Sequence, residues 1–208
     1  PRQKGNRMTN RRKNLVTTVL AASTIMASLA IPISSVAQGA PLAPRETAVA
    51  PETNPPGDIP DNQVFIDYTA PAGFSMQVPE GWSRSDTATG VSFADKYGTI
   101  DIATAKADKA PTPQSIQQRE VPDLVAGGHA VEVTDVRAMT LPAGEAVALD
   151  YLSNSAINPV TNRRIRLENR RIYLFHAGQE AIVTFSAPAG ADNVDAWKMM
   201  AESLRWPS

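Results

Sequence analysis

From Gln63 onward, apolar and polar residues alternate over short segments, and this two-residue period restricts the fold more than any other feature. Alternate side chains of a strand point to opposite faces of a sheet, so the pattern predicts strands with one buried face. Strands are expected at residues 64–68, 74–78, from Trp82, 91–93, 99–105, 131–141, 146–152, 163–175 and 181–186.

Two segments follow a helical period instead. Residues 113–126 carry a loose apolar stripe, and Pro122 within it predicts two short helical pieces or a kink. After a cap at Asp192 or Asn193, apolar residues at three- and four-residue steps predict a C-terminal helix. Runs of strands separated by single helices predict an α+β domain over residues 63–208, in which helices on both sides cover a central antiparallel sheet.

Residues 1–37 differ from this body in charge and in apolar content. Residues 1–14 hold six basic side chains and no acid, and residues 15–37 are uncharged and end in small residues. This pattern predicts a signal peptide that is cleaved after Ala37 or Gly39. The alternative is an uncleaved signal anchor, because 23 residues can span a bilayer, although seven of them are Ser or Thr.

Both alternatives predict an extracytoplasmic body, because the basic head stays on the cytoplasmic side of the membrane. The body is then secreted, periplasmic or tethered to the outer face of the cytoplasmic membrane. Membrane contact is expected only through residues 15–37, if that segment is not cleaved.

Residues 38–62 connect the head to the body and contain six prolines, with almost no large apolar residue before Ile59. Such a segment buries too little surface to repay its ordering entropy, so we expect a disordered, extended linker. A passive tether is the simpler interpretation, and a proline-rich docking ligand is the alternative.

Charge and cysteine content exclude several classes of function. The chain has a net charge of −1, so without the six basic residues of the head, residues 38–208 carry −7. An acidic body argues against nucleic-acid binding, which requires a basic surface. The chain has no cysteine, which excludes disulfides, thiolate metal sites, a cysteine nucleophile and the acylated cysteine of a lipoprotein.

One sequence motif resembles a known family. Residues 73–82 read Gly-Phe-Ser-Met-Gln-Val-Pro-Glu-Gly-Trp, which resembles the strand and Pro-x-Gly-Trp turn that open PsbP-like domains. Residues 91–95, the strand around Tyr173 and the final helix with Trp197 follow in the same order. The family includes the lumenal extrinsic subunit of photosystem II and small exported bacterial proteins of the LpqN and DcrB type.

The resemblance covers residues 63–206 and implies a central antiparallel sheet between helices. No residue of the matched motif is catalytic. The specialised N-terminal tail of the photosystem subunit has no match here, so its photosynthetic role is not carried over. Fold alone does not determine function.

No motif for a catalytic or cofactor site is present: the chain lacks a Gly-x-Ser-x-Gly elbow, a phosphate loop, a dinucleotide fingerprint and a His-Glu-x-x-His helix. We therefore expect no catalytic residue, no cofactor and no enzymatic activity. Asp150 and Tyr151 lie on a predicted central strand, where a carboxylate that faced the core would require a partner.

The two histidines, His129 and His176, are the only candidates for a metal site. With Asp135 or Glu180 they would supply imidazole and carboxylate ligands. Their spacing does not support a shared site, and two exposed turn histidines are the simpler interpretation.

Five arginines gather on the strand predicted at 163–175: Arg163, Arg164, Arg166, Arg170 and Arg171. Arg164, Arg166 and Arg170 have the same parity, which places them on one face of the sheet, with Glu168 between them. They are candidates for a surface that binds an anionic group or a partner's acidic patch. The alternative is a solvated face whose arginines pair with nearby acids.

The three tryptophans are candidates for lining a ligand cleft. Trp197 lies on the apolar stripe of the last helix and is expected in the core. Trp82 is expected to act as a packing plug after its turn, and Trp206 is the least constrained by the pattern.

These observations lead to one functional prediction and two alternatives. The prediction is an exported, membrane-associated, non-enzymatic accessory protein that binds an unidentified envelope protein or an anionic surface. The first alternative is a small-molecule or lipid carrier with a cleft between helices and sheet. The second is a hydrolase, which the absence of a nucleophile–base motif disfavours.

Overall fold

The computed structural model describes residues 46–207, and strands make up most of the regular structure in that range. The strands are β1 (Phe65–Thr69), β2 (Ser75–Pro79), β3 (Ser83–Asp86), β4 (Gly90–Ala94), β5 (Thr99–Lys106), β6 (Glu132–Leu141), β7 (Gly144–Asn154), β8 (Arg166–His176) and β9 (Gln179–Pro188). The helices are α1 (Pro113–Ser115), a π-helical turn (Ile116–Glu120), α2 (Val121–Gly127) and α3 (Val194–Glu202).

Seven of these strands form one antiparallel sheet in the order β3-β4-β5-β9-β8-β7-β6. The strands β1 and β2 pair only with each other, from Phe65 opposite Pro79 to Thr69 opposite Ser75. Strands β7, β8 and β9 are paired along nearly their whole lengths, so they form the rigid centre of the sheet.

The β1–β2 pair and α3 cover one face of the sheet. The side chains of Trp197 and Phe185 stack there with ring centroids 5.8 Å apart, and Tyr68 meets Phe93 edge to face at 5.2 Å. This face holds the larger core, which includes Phe74, Met76, Val78, Val91, Ile100, Ile102, Ile172, Leu174, Val183, Met200 and Leu204.

The segment from α1 to α2 covers the opposite face over β7 and β8. Ile116 packs there against Val147, Leu149, Tyr151 and Tyr173, so these side chains fill the space between helix and sheet. The carrier cleft proposed between helices and sheet is therefore not formed at this interface.

Pro122 explains why this segment is not one regular helix. Proline has no N–H to donate inside a helix and its ring crowds the preceding turn. The Val121 N–H bonds to the Ile116 carbonyl, five residues back, and the widened turn separates two short α-helical pieces. The sequence prediction of two pieces or a kink is confirmed.

The architecture is an α+β fold in which an antiparallel sheet lies between helices, and the sequence prediction of this fold class is confirmed. Most predicted strands are found, but the strand expected from residue 163 begins at Arg166. Hydrogen bonds between Ser155 and Ile165 hold the preceding residues in a loop instead. Among the described helices, none has both the length and the apolar character needed to cross a membrane.

The predicted signal peptide or anchor over 1–37 and residues 38–45 of the predicted linker lie outside the described residues. Residues 46–60, here called the N-terminal strap, contain no helix or strand. They nevertheless lie along the domain, where Val49 and Ile59 donate backbone hydrogen bonds to the side chains of Asn154 and Asn193. This part of the chain therefore differs from a free tether, because distant asparagines supply the contacts that its own sequence lacks.

Candidate functional site

Strand register brings two loops to the same end of the sheet. Thr99 on β5 lies opposite Ser186 on β9, and Ser186 lies opposite Asn169 on β8. Strands β5 and β8 both run antiparallel to β9. The residues that precede Thr99 and those that precede Arg166 therefore lie at the same end of the sheet. The turn between β4 and β5 and the loop 155–165 are therefore neighbours, although more than fifty residues separate them in sequence.

The β4–β5 turn presents a lysine and a tyrosine at this end of the sheet. The Asp95 carboxylate accepts hydrogen bonds from the backbone N–H groups of Tyr97 (2.7 Å) and Gly98 (2.6 Å), which fixes the turn. The Lys96 Nζ atom lies over the Tyr97 ring, 5.0 Å from its centroid. Contact with Tyr97 raises the pKa of Lys96, so this side chain is a cation at neutral pH.

The loop 155–165 presents two arginines at the same end of the sheet. Its Asn158 side chain accepts hydrogen bonds from the backbone N–H groups of Val160 (2.9 Å) and Thr161 (3.0 Å), and this closes a tight turn. The loop is closed again at its base, where Ser155 bonds to Ile165. A compact loop of this kind holds Arg163 and Arg164 in place without a strand beneath them.

The strap forms the third wall of a cavity with a volume of about 800 Å³ between these loops. This volume lies within the range of ligand-binding clefts. The lining contains three cations, one carboxylate, one aromatic ring and two hydroxyl groups; its residues are Glu52, Pro56, Lys96, Tyr97, Asn158, Thr161, Arg163, Arg164, Ile165 and Pro188. Convergent cations of this kind bind phosphate or carboxylate oxygens.

The cations of this cavity, here called the basic cavity, are not equally available. Arg164 contacts Glu46 (Nε to Oε1, 3.1 Å) and donates to the Ser155 carbonyl (2.5 Å), so it is partly satisfied within the protein. Lys96 and Arg163 are exposed and form no ion pair with any residue that the structure describes. They are the two charges that an incoming anion would meet first.

A second cavity, of about 530 Å³, lies beside Tyr68 and Arg84. Arg84 is its only cation, and it pairs with Asp86 at 3.0 Å while it lies over the Tyr68 ring. The remaining lining residues are uncharged. The basic cavity is therefore the stronger candidate for recognition of a charged group.

The sequence groups Arg166 and Arg170 with Arg164 as an anion-binding surface. In the structure, the side chains of Arg166 and Arg170 bond instead to other residues of the domain. Arg166 is only 3% exposed and donates to the Ala130 carbonyl (2.7 Å), to Asn154 and to Glu132. Arg170 donates two hydrogen bonds to the Asp150 carboxylate, from two guanidinium nitrogens at 2.7 and 3.1 Å.

The three arginines thus do not form one solvent-facing surface. The parity argument correctly places Arg166 and Arg170 on one face of β8, but acids and carbonyls already occupy their donors. The anion-binding candidates shift to Arg164 together with Arg163 and Lys96.

Asp150 is the partner that holds this network together. Besides the two bonds from Arg170 on β8, it accepts a bond of 2.5 Å from Arg137 on β6, and Arg137 also reaches Asp135 at 2.7 Å. Burial alone would raise the pKa of Asp150, but the hydrogen bonds and charges of Arg170 and Arg137 lower it overall. The carboxylate is therefore a charged structural element of the sheet.

The two histidines lie at opposite ends of β8. The carbonyl of His129 accepts from the backbone of Asn154, which is opposite Arg166 at the start of β8, whereas His176 is the last residue of that strand. Ten residues of strand separate these ends by about 30 Å. His129 bonds to Glu46 at 2.7 Å, and His176 stacks on Trp206 at 5.2 Å, so each side chain has a separate environment.

No group of three or more His, Asp or Glu side chains that could hold a metal ion is found within residues 46–207. The sequence suggests Asp135 and Glu180 as carboxylate co-ligands. In the structure, these two side chains do not bring the histidines into one site. Asp135 bonds to Arg137, and Glu180 lies on β9 near Glu120, where burial and this neighbour raise its pKa.

The tryptophans and the buried tyrosines are packing residues in this fold. Trp197 belongs to the larger core, and Trp82 packs against Gly98 in the β4–β5 turn. Tyr173 is completely buried, its hydroxyl group has no hydrogen-bond partner among the described residues, and burial raises the pKa of Tyr173 to about 12.

Sequence reasoning missed Lys96 and Glu52 as neighbours of the arginine loop. The local signals for both turns are present, since Asp95 and Asn158 are typical turn residues. No sequence signal brings the turns together, because their proximity depends on the pairing of β5 with β9 and of β9 with β8.

Comparisons with known proteins reveal similarity of fold. No protein-family model matches the chain, and no curated protein matches its sequence. The solution structure of CyanoP, the cyanobacterial PsbP of Synechocystis sp., matches with a TM-score of 0.50 and 16% identity, over 73% of this chain and 98% of CyanoP.

Two further solved structures match with lower TM-scores. LpqN of Mycobacterium tuberculosis, described as involved in cell envelope biogenesis, has a TM-score of 0.42 and 16% identity, over 70% of this chain and 91% of LpqN. A Pseudomonas aeruginosa protein of unknown function has a TM-score of 0.45 and 12% identity, over 69% and 98% of the two chains. The match to CyanoP establishes a PsbP-like fold, which the Pro-x-Gly-Trp motif predicts.

Proposed function

We propose that this PsbP-like domain is an exported, non-enzymatic accessory protein that binds a phosphate-bearing envelope component in the basic cavity. The observation that carries the proposal is the convergence of Lys96, Arg163 and Arg164 on one concave site. The sequence of residues 1–37 supports export, because a basic head, an uncharged stretch and small terminal residues are typical of a signal peptide.

The chemistry of the lining favours an anionic group that also carries hydroxyls or other donors. Lys96 and Arg163 supply charges that form no ion pair within the described part of the chain, and the Thr161 hydroxyl lies in the same lining. Glu52 supplies an acceptor for a donor group on the ligand. A glycerol phosphate unit, whether free, in a polymer or in a lipid headgroup, has this combination.

The test is an NMR titration of the full exported chain with sn-glycerol 3-phosphate, with flotation on phosphatidylglycerol vesicles as a parallel assay. We expect shift changes at Lys96, Tyr97 and Arg163. Each of the variants Lys96→Gln and Arg163→Gln should weaken binding about fivefold, which corresponds to about 1 kcal/mol. Lys198→Gln, at an exposed position of α3, changes the net charge equally and serves as the matched control.

Three results would overturn the proposal. The first is no shift change with glycerol phosphate. The second is an equal loss of binding in Lys198→Gln, which would mean that only net charge matters. The third is binding to vesicles without any response to the soluble probe, which would place the contact on an open surface instead of in the cavity.

A further inference from the structure

The strap is attached to the domain by the side chains of two buried asparagines. Asn154 and Asn193 are each only 3% exposed, although asparagine is normally a surface residue. Buried amides require hydrogen-bond partners, so the bonds of these two side chains show what their burial serves.

Both the oxygen and the nitrogen of the Asn193 side-chain amide form hydrogen bonds with the strap. Its Oδ1 accepts from the Ile59 N–H at 2.7 Å, and its Nδ2 donates to the Gly57 carbonyl at 3.0 Å. The pair of bonds resembles the pairing of one strand residue with another. The strap is thus fixed at its C-terminal end immediately before α3.

Asn154 makes the corresponding attachment at the other end. Its Oδ1 accepts from Val49 N–H at 3.0 Å, and its Nδ2 donates to Glu46 (2.7 Å) and to the Thr47 carbonyl (2.9 Å). The carboxylate of Glu46 also contacts His129 (2.7 Å) and Arg164 (3.1 Å). The hydrogen bond from Asn154, with smaller contributions from His129 and Arg164, lowers the pKa of Glu46 against the effect of partial desolvation.

Between these two attachments the strap passes along the basic cavity. Glu52 and Pro56 are part of the cavity lining. Gly57 has a φ of +119°, and a Cβ atom at this position would lie 2.9 Å from the Tyr97 Cβ and 3.1 Å from the Pro188 Cδ. Only glycine allows the strap to approach this wall so closely.

We infer that the N-terminal strap is a wall of the basic cavity and that Asn154 and Asn193 are its positioning residues. This inference rests on the proposed function of that cavity. Ligand binding and strap attachment are then coupled: a ligand that binds only the attached form stabilises it, and a variant weakens binding by the factor by which it lowers the attached fraction of the strap.

The test combines hydrogen exchange of the strap with NMR titration of sn-glycerol 3-phosphate on the full exported chain. Asn193→Ala removes two strap bonds without touching the cavity lining, and Gly57→Ala forces the strap away from Tyr97. Asn169→Ala is the matched control, because Asn169 is also buried but bonds to Tyr151 and Ser153.

We expect the strap to be mostly detached in both strap variants, so the Ile59 N–H should exchange at close to the rate of an unstructured amide. Both variants should bind the probe at least fivefold more weakly, and the probe should slow Ile59 exchange in the natural chain. Asn169→Ala should change neither quantity, which separates a positioning role from general destabilisation.

An Ile59 N–H that exchanges at the unstructured rate together with unchanged affinity would overturn this inference and leave the proposed function intact. Equal loss of affinity in Asn169→Ala would also overturn it. Absence of binding by the natural chain would overturn the proposed function, and the inference with it.

Discussion

Replacement of Asp150 by asparagine tests whether the charged network on β6, β7 and β8 stabilises the sheet. Asp150 lies directly opposite Arg170 in the β7–β8 register and accepts two bonds from it. A third bond comes from Arg137 on β6. One carboxylate therefore links three neighbouring strands, and Asp150→Asn keeps its shape while it removes the charge.

The magnitude follows from the number and kind of these bonds. A hydrogen bond to a charged group contributes about 1.5–3 kcal/mol, and breaking a fully buried ion pair costs about 3–5 kcal/mol. The Asp150 side chain is 19% exposed, so the lower range applies, and asparagine retains an acceptor for one arginine. We expect the free energy of unfolding to fall by about 2–3 kcal/mol, and Tm by roughly 5–10 °C for a domain of this size.

The pH dependence gives a second, independent readout. Arg170 and Arg137 lower the pKa of Asp150 below the 3.8 of a free aspartate, despite its burial. A carboxylate with a lowered folded-state pKa contributes its full stability above the unfolded-state pKa and loses it as the pH falls through the folded-state pKa. The difference between natural chain and variant should thus be constant from neutral pH to about pH 5 and shrink below about pH 4.

Urea unfolding followed by tryptophan fluorescence measures both effects on the natural chain and on Asp150→Asn. Glu168→Gln provides the control, because Glu168 is an exposed carboxylate on the neighbouring strand β8. A loss below about 0.5 kcal/mol, the range of ordinary surface substitutions, would refute the argument. An equal effect in Glu168→Gln would also refute it.

Two further substitutions test other parts of the structure. Glu52→Gln removes the one carboxylate of the basic cavity. One unit charge at about 8 Å in water contributes about 0.5 kcal/mol, so NMR titration should detect about twofold tighter binding of sn-glycerol 3-phosphate. Weaker binding by the variant would contradict this prediction. Tyr173→Phe removes a buried hydroxyl that has no partner among the described residues, and urea unfolding should show a gain of about 1 kcal/mol; a loss of that size would mean that the hydroxyl is paired.

The alternation of apolar residues predicts most of the sheet because burial selects one face of each strand. Strand β7 illustrates this, since Ala146 faces the larger core while Val147, Leu149 and Tyr151 face the helical segment. Pro122 likewise predicts the interrupted helix, because the loss of its N–H has a purely local effect. These features depend on neighbours in sequence, so they can be predicted from the sequence.

The strap and the basic cavity depend instead on contacts between distant residues. Pattern reasoning treats residues 38–62 as a free spacer because they bury little surface by themselves. The residues that hold the strap, Asn154 and Asn193, are more than a hundred positions away. The sequence pattern predicts Asn193 only as a possible helix cap, and Asn154 follows the strand predicted at 146–152. Arg166 is a similar case, because it bonds to Ala130 and Glu132, more than thirty positions earlier in the chain.

The distribution of charge determines how such a domain can bind an anion. Residues 38–208 carry −7, so the body as a whole repels an anionic surface. At physiological ionic strength the Debye length is about 8 Å, so remote acids are screened while groups inside a cavity are not. Attraction must then come from Lys96, Arg163 and Arg164 at short range, and it requires a ligand that enters the space beside the strap. Under the proposed function, the same acidic body that disfavours general adhesion would make the basic cavity selective.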